Sequence, residues 1–143
     1  MKTRNQPKKK RNGTRKNTKK YTQQDIITMF LQMLNTVKLY HWKTLSYAQH
    51  KATDELYTNL NINIDTFVEV MLGKTGGRVN LTDKKTLPLL DYTNVTDFIR
   101  EVNKYKHFLI GLNNSELNDS DLLNIRDEIL SNLNQFTYLL SFK

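Results

Sequence analysis

Residues 41–69 read HWKTLSYAQHKATDELYTNLNINIDTFVE. From Ser46 to Leu72 there is neither proline nor glycine, and Leu56, Tyr57, Leu60, Ile64, Phe67, Val68 and Met71 recur at steps of three and four. That spacing predicts one long amphipathic helix, because residues three and four apart share a face of an α-helix. Its polar side chains are ordered as well. At roughly 100° of turn per residue, His50, Asp54, Asp65 and Glu69 fall at about 0°, 40°, 60° and 100°, a single stripe. At a rise of about 1.5 Å per residue, Asp54 and Asp65 stand roughly 16 Å apart along the axis. Metal ligands approach an ion to about 2 to 2.5 Å, so His50/Asp54 and Asp65/Glu69 cannot share one within a single helix. Two antiparallel copies of the helix about a two-fold axis would bring the first pair of one chain beside the second pair of the other, twice. A metal site built from this stripe therefore requires a dimer. His41, one loop before the helix, can close each half-site as a third ligand from its own chain. Two imidazoles and three carboxylates form a mixed N/O set suited to iron, manganese or zinc, with iron the first expectation. The competing reading of the four helix residues is a solvated face with i,i+4 support, and of His41 a buried, hydrogen-bonded histidine.

Upstream, Thr22-x-x-Asp25 resembles a capping box, and the apolar run Ile26, Ile27, Phe30, Leu31, Met33, Leu34, Val37 and Tyr40 predicts a helix from there to about Lys43, with Trp42 in the core. Downstream, Gly73, Gly76 and Gly77 are expected to end the long helix. Residues 73–93 then form one long connection, sufficient to cross a bundle. Asn94, with Asp97 in the first turn, predicts the cap of a third helix running to about Leu112. NNSELNDS reads as a turn, and a fourth helix is expected over Asp121 to Phe142. His107, between Lys106 and Phe108, is read as a surface residue with no chemistry.

The 143 residues contain no cysteine, which excludes disulfides and thiolate metal sites. No run of about 18 apolar residues exists, so no membrane span or ordinary secretory signal is expected and the protein is read as intracellular. The formal charge of +8 is unevenly placed: residues 1–20 hold ten of the 22 basic residues and none of the 14 acids. This segment lacks any aliphatic or aromatic residue after Met1 and is expected to be a disordered basic arm, since it has nothing to bury against the entropy of ordering. Lys8, Lys9, Lys10, Arg11, Arg15, Lys16, Lys19 and Lys20 are its candidate phosphate contacts, giving sequence-independent, salt-sensitive binding to DNA. Pro7-Lys8-Lys9-Lys10-Arg11 also looks like a nuclear import signal, and a solubilising extension is the plain alternative. Residues 21–143 form one helical domain.

The run Tyr40-His41-Trp42, then His50-x-x-x-Asp54-x-Leu56-Tyr57, then Ile64-Asp65-x-x-x-Glu69, resembles the ferroxidase signature of the Dps mini-ferritins, the DNA-binding proteins from starved cells. The resemblance covers residues 21–143. It implies a ferritin-like four-helix bundle with a long crossover between the second and third helices, and Fe(II) as substrate at intersubunit sites. By the same resemblance His41, His50 and Asp54 come from one subunit and Asp65 and Glu69 from its two-fold mate. Peroxide is the implied oxidant, with mineral stored in a dodecameric shell and DNA held by the arms. Two features depart from the family pattern: a shorter join between His41 and His50, and a 73–93 connection without the residues of the short helix that members place there. A second reading keeps the scaffold without redox turnover, as a nucleic-acid-condensing or virion-associated structural protein. The expected location is accordingly cytoplasm or nucleoid, or else nucleus or virus particle. A third reading is a metal-free interaction module.

Overall fold

Thr22 and Asp25 start the first helix as their spacing predicts. The Asp25 amide donates to Thr22 Oγ1 at 3.2 Å, and the Thr22 amide donates to Asp25 Oδ2 at 3.0 Å, so two of the helix's otherwise unpaired donors are satisfied. The Thr22 amide holds the Asp25 carboxyl below its ordinary range against the opposing effect of burial, helped by the Thr22 hydroxyl and Lys84. The computed structural model describes residues 20–142, and among them the chain forms four α-helices and no strand. These are α1 (Gln23–Lys43), α2 (Tyr47–Thr75), α3 (Val95–Gly111) and α4 (Ser120–Leu139), with a short 3-10 turn at Leu112–Asn114. The expected arm residues Lys8, Lys9, Lys10, Arg11, Arg15, Lys16 and Lys19 lie outside the described residues. Lys20, at their edge, is exposed and 3.4 Å from Glu116.

Ser46 caps α2, accepting from the Gln49 amide at 3.3 Å, and Asn94 caps α3, accepting from the Asp97 amide at 2.9 Å. The end of α2 differs from expectation. The helix passes through Gly73 and stops only at Gly76, whose φ of 73° lets its amide donate to the Leu72 carbonyl at 2.8 Å. Interior glycine weakens a helix by about 1 kcal/mol without breaking it, whereas the left-handed turn at Gly76 ends it. The fourth helix starts at Ser120 and stops at Leu139, short of the expected Phe142, whose ring is exposed.

Contacts fix the helix directions. Phe30 meets Phe67 edge-on at 5.2 Å while Tyr40 donates to Gln49 at 2.8 Å, so α1 and α2 are antiparallel. Tyr40 stacks on Phe98 at 4.1 Å and Phe30 meets Phe108 at 6.0 Å, which sets α3 antiparallel to α1. Phe98 meets Phe136 at 5.8 Å and Arg126 reaches the Leu109 carbonyl at 2.7 Å, setting α4 antiparallel to α3. The second and third helices thus run the same way, and the 76–94 connection must travel the bundle's length. It does so along α1: Gln24 Nε2 donates to the Asn80 carbonyl at 2.9 Å, and at the far end Lys43 Nζ contacts Asp91 at 2.7 Å.

Between the helices lies a continuous apolar core that includes Phe30, Met33, Leu60, Phe67, Val102, Leu109, Ile129 and Phe136. Burying each such side chain contributes about 1.5–3 kcal/mol relative to exposure, which outweighs the modest helix propensity of a chain rich in Asn, Thr and Ile. Most buried polar groups are partnered; Thr28 Oγ1 and Asn132 Nδ2 are buried without a hydrogen-bond partner. Tyr105 Oη lies 2.8 Å from Thr36 Oγ1, itself a donor to Gln32 O, and burial pushes the phenol pKa up. Arg126, 6% exposed, donates to Leu109 O, Asn113 Oδ1 and Asp127 Oδ1, tying α4 to the end of α3.

Candidate functional site

The corner between α1 and α2 is only Thr44–Ser46 long, and its shortness brings two imidazoles face to face. Thr44 and Tyr40 both donate to Gln49 Oε1 at 2.8 Å, and the Ser46 amide donates to Thr44 Oγ1 at 3.2 Å, so side chains as well as backbone fix the turn. Held this way, the rings of His41 and His50 stack at 4.0 Å with 21° between their planes. His41 Nδ1 lies 3.0 Å from the His50 carbonyl, and His50 Nδ1 lies 3.1 Å from the His41 carbonyl. A carbonyl only accepts, so each Nδ1 carries a proton, and a ring that is neutral has its lone pair on Nε2. Thr53 Oγ1, a donor to the Gln49 carbonyl at 2.7 Å, accepts a further contact from His41 Nδ1 at 3.1 Å. Donation of one ring N–H to a backbone carbonyl is the arrangement that fixes an imidazole's tautomer and leaves its other nitrogen available to a metal ion.

The two rings do not converge on one point. A metal ion lies in the plane of the imidazole it binds, at about 2.0–2.1 Å from nitrogen. Planes 4.0 Å apart and inclined by 21° meet only at roughly 4.0/tan 21°, about 10 Å away, beyond coordination distance. In this arrangement His41 and His50 cannot share one ion; a metal at each ring would be a separate ion. His41 is 7% exposed and locked, while His50 is exposed.

Of the acids, Asp54 lies one turn beyond His50 on α2, and Asp65 and Glu69 lie farther along the same helix; all three are exposed. Among the described residues none of them, nor Glu55, makes an ion pair, whereas eight of the ten acids off this helix do. Asp65 stands on the rim of an apolar groove of about 340 Å³ between α1, α2 and the connection. Among the described residues no three His, Asp or Glu side chains gather into a group able to hold an ion. The fold brings together His41 and His50, with Asp54 a turn away, and leaves Asp65 and Glu69 apart.

Sequence reasoning missed the groups that position the histidines. Gln49 and Thr53 carry no chemical signature, and only their places one residue before and three after His50 hint at them. Trp42 is a correction. It was expected in the core, yet 69% of it is exposed, since it sits one helical step of about 100° beyond the inward-facing His41. Lys38 Nζ lies 5.6 Å from its ring and 4.4 Å from the Tyr57 ring. His107 is exposed, as expected, with Nδ1 2.7 Å from the Asn103 carbonyl.

A family model described as a family of unknown function (DUF5856) matches residues 41–140. The chain belongs to that family. The matched span runs from His41 almost to the end of the chain and holds all five candidate ligands. No curated protein and no solved structure matches the chain. No described helix is long and apolar enough to cross a membrane.

Proposed function

We propose that this member of the DUF5856 family is a Dps-like ferroxidase on a ferritin-like scaffold, with Fe(II) as its substrate at sites shared between two chains. The observation that carries the reading is the reciprocal His41/His50 pair, each ring donating from Nδ1 to a carbonyl and leaving Nε2 for a ligand, with the exposed Asp54 one turn farther along α2. The donor set fits the substrate: imidazole and carboxylate both suit iron, and the oxygen ligands favour the ferric product. His41, His50 and Asp54 act from one chain, Asp65 and Glu69 from the other. Two parallel, non-convergent rings suit a pair of ferrous ions. Each gives one electron to a peroxide, whose O–O bond breaks and leaves, with two protons, as two waters. Helix order supports the scaffold, because two antiparallel helix pairs joined by one long crossover are the ferritin arrangement. By the same reading the basic arm holds DNA through its phosphates and the oxidation protects it, while Fe(III) collects inside a closed assembly of the dimers.

Anaerobic Fe(II) titration followed by peroxide tests the reading. Asp54→Ala with Glu69→Ala is expected to abolish iron oxidation while leaving the helical content intact, since both side chains are exposed. Fe(II) consumption undiminished in the double variant refutes the assignment. Wild-type protein that binds DNA and shows no turnover is the result that favours the nucleic-acid-condensing alternative.

A further inference from the structure

The 76–94 connection does more than span the bundle, since part of it walls a groove against α1 and α2. Phe30, Leu31, Leu34, Ile64, Val68 and Leu81 line this groove of about 340 Å³, with Asn61 and Asp65 as its polar residues. Leu31 and Val79 each leave 44% of their surface exposed there, apolar area that gains by being covered. A second hollow of about 130 Å³ shares Leu31 and Leu81 with the first, so the two adjoin along α1. Its lining differs in character: Thr28, Lys84, Lys85 and Thr86 bound it. An apolar channel thus leads to a basic end that carries hydroxyl groups.

Thr28 departs from the other helix threonines. Thr36, Thr53, Thr58, Thr66, Thr75 and Thr137 each donate to the carbonyl four residues back, a common outlet for a hydroxyl inside a helix. Thr28 Oγ1 has no hydrogen-bond partner although it is buried beside the basic hollow. A buried hydroxyl left unpaired costs stability, and a ligand that accepts from it removes that cost. Charge narrows the ligand further. Lys84 Nζ lies 3.4 Å from Asp25, which offsets it, whereas among the described residues Lys85 makes no ion pair. The hollow therefore offers a single uncompensated ammonium and one unpaired hydroxyl. A carboxylate, singly charged with two acceptor oxygens, matches that pair, while a phosphate brings more charge and more acceptors than it satisfies. At the far end Asp65 repels an anion, so a bound amphiphile has its head at Lys85 and its chain toward Val68. We infer that the groove binds a long-chain carboxylate, its alkyl chain between α1, α2 and residues 79–81 and its head on Lys85 Nζ and Thr28 Oγ1. A mostly apolar lining with a few polar groups that set orientation is the usual make-up of such a site. The inference goes beyond the iron chemistry and stands without it.

Calorimetric titration of the full chain with dodecanoate, kept below the concentration at which it forms micelles, tests the site. Saturable binding is expected, with a rise in melting temperature, because a ligand of the folded state stabilises it. Dodecanol, which has the chain without the charge, and dodecyltrimethylammonium, which reverses the charge, are each expected to bind at least about tenfold more weakly. Lys85→Glu is expected to weaken dodecanoate by the same order. Thr28→Val, which keeps the shape and removes the hydroxyl, is expected to weaken it about threefold or more while leaving the melting temperature of the free chain unchanged or higher, since an unpaired buried group is lost. Leu31→Trp, at a half-exposed position shared by both hollows, is expected to fill the channel and abolish binding with wild-type helical circular dichroism. No saturable binding of dodecanoate to the wild-type chain, or equal binding of dodecanol, overturns the inference. Unchanged affinity in Lys85→Glu or Thr28→Val overturns it as well. Dodecyl phosphate bound at least about tenfold more tightly than dodecanoate overturns the carboxylate head.

Discussion

The histidine pair shows how much one corner does at the scale of a residue. His41 Nδ1 has two acceptors, the His50 carbonyl and Thr53 Oγ1, and the second is a side chain that can be removed without changing shape. Thr53 is fully buried. Thr53→Val is therefore expected to cost about 1–2 kcal/mol in denaturant unfolding, through loss of hydrogen bonds to His41 and to the Gln49 and His50 carbonyls. Its effect on metal should be larger than its effect on fold. Loosening a partner that orients a ligand typically costs about 10- to 100-fold in affinity, so the Mn(II) isotherm of the variant should weaken by that order. An unchanged isotherm would mean that the His50 carbonyl alone sets the His41 ring.

Within an element, the two glycines near the end of α2 make opposite demands on the same substitution. Gly73 lies inside the helix with open space where a Cβ would go, and Gly76 ends it at φ 73°. Gly73→Ala is expected to stabilise by about 0.5–1 kcal/mol, since alanine gives up less backbone freedom on joining a helix. Gly76→Ala is expected to destabilise by about 1–2 kcal/mol, because an L side chain is crowded in the left-handed region. Thermal unfolding of the two variants should shift in opposite directions. If both lower the melting temperature, the stop is not at Gly76.

Over the whole molecule, charge is divided between a basic N-terminal segment and a slightly acidic remainder. Each phosphate neutralised by Lys or Arg contributes about 0.9 to the slope of log affinity against log salt on duplex DNA. Removal of residues 1–19 is thus expected to lower DNA affinity strongly at low salt and to flatten the salt dependence, as read by gel shift across a salt series. Equal affinity and slope with and without the segment would place DNA contacts elsewhere or nowhere. Dimer formation and helicity should survive the truncation, because the apolar core begins at Ile26.

Helix existence, caps and the two polar pairs on α2 were legible in the sequence, because all depend on local spacing. A 3.6-residue period fixes which residues share a face, and Thr22 or Asn94 can reach an amide three residues on whatever the rest of the chain does; the Ser46 cap of α2 emerged only from the structure. Tertiary structure alone decided which of three glycines stops α2, since that turns on one residue's φ, and where Trp42 points, since composition favours burial of an indole that helix phase turns outward. It alone decided how His41 meets His50: the meeting depends on a three-residue corner braced by Tyr40, Thr44 and Gln49, none of which advertises its role. Spacing could say that the two halves of the stripe lie too far apart on one helix to share an ion. Only packing could show that the imidazoles stack face to face and present separate nitrogens, because ring orientation is set by hydrogen bonds to backbone carbonyls that a sequence does not display.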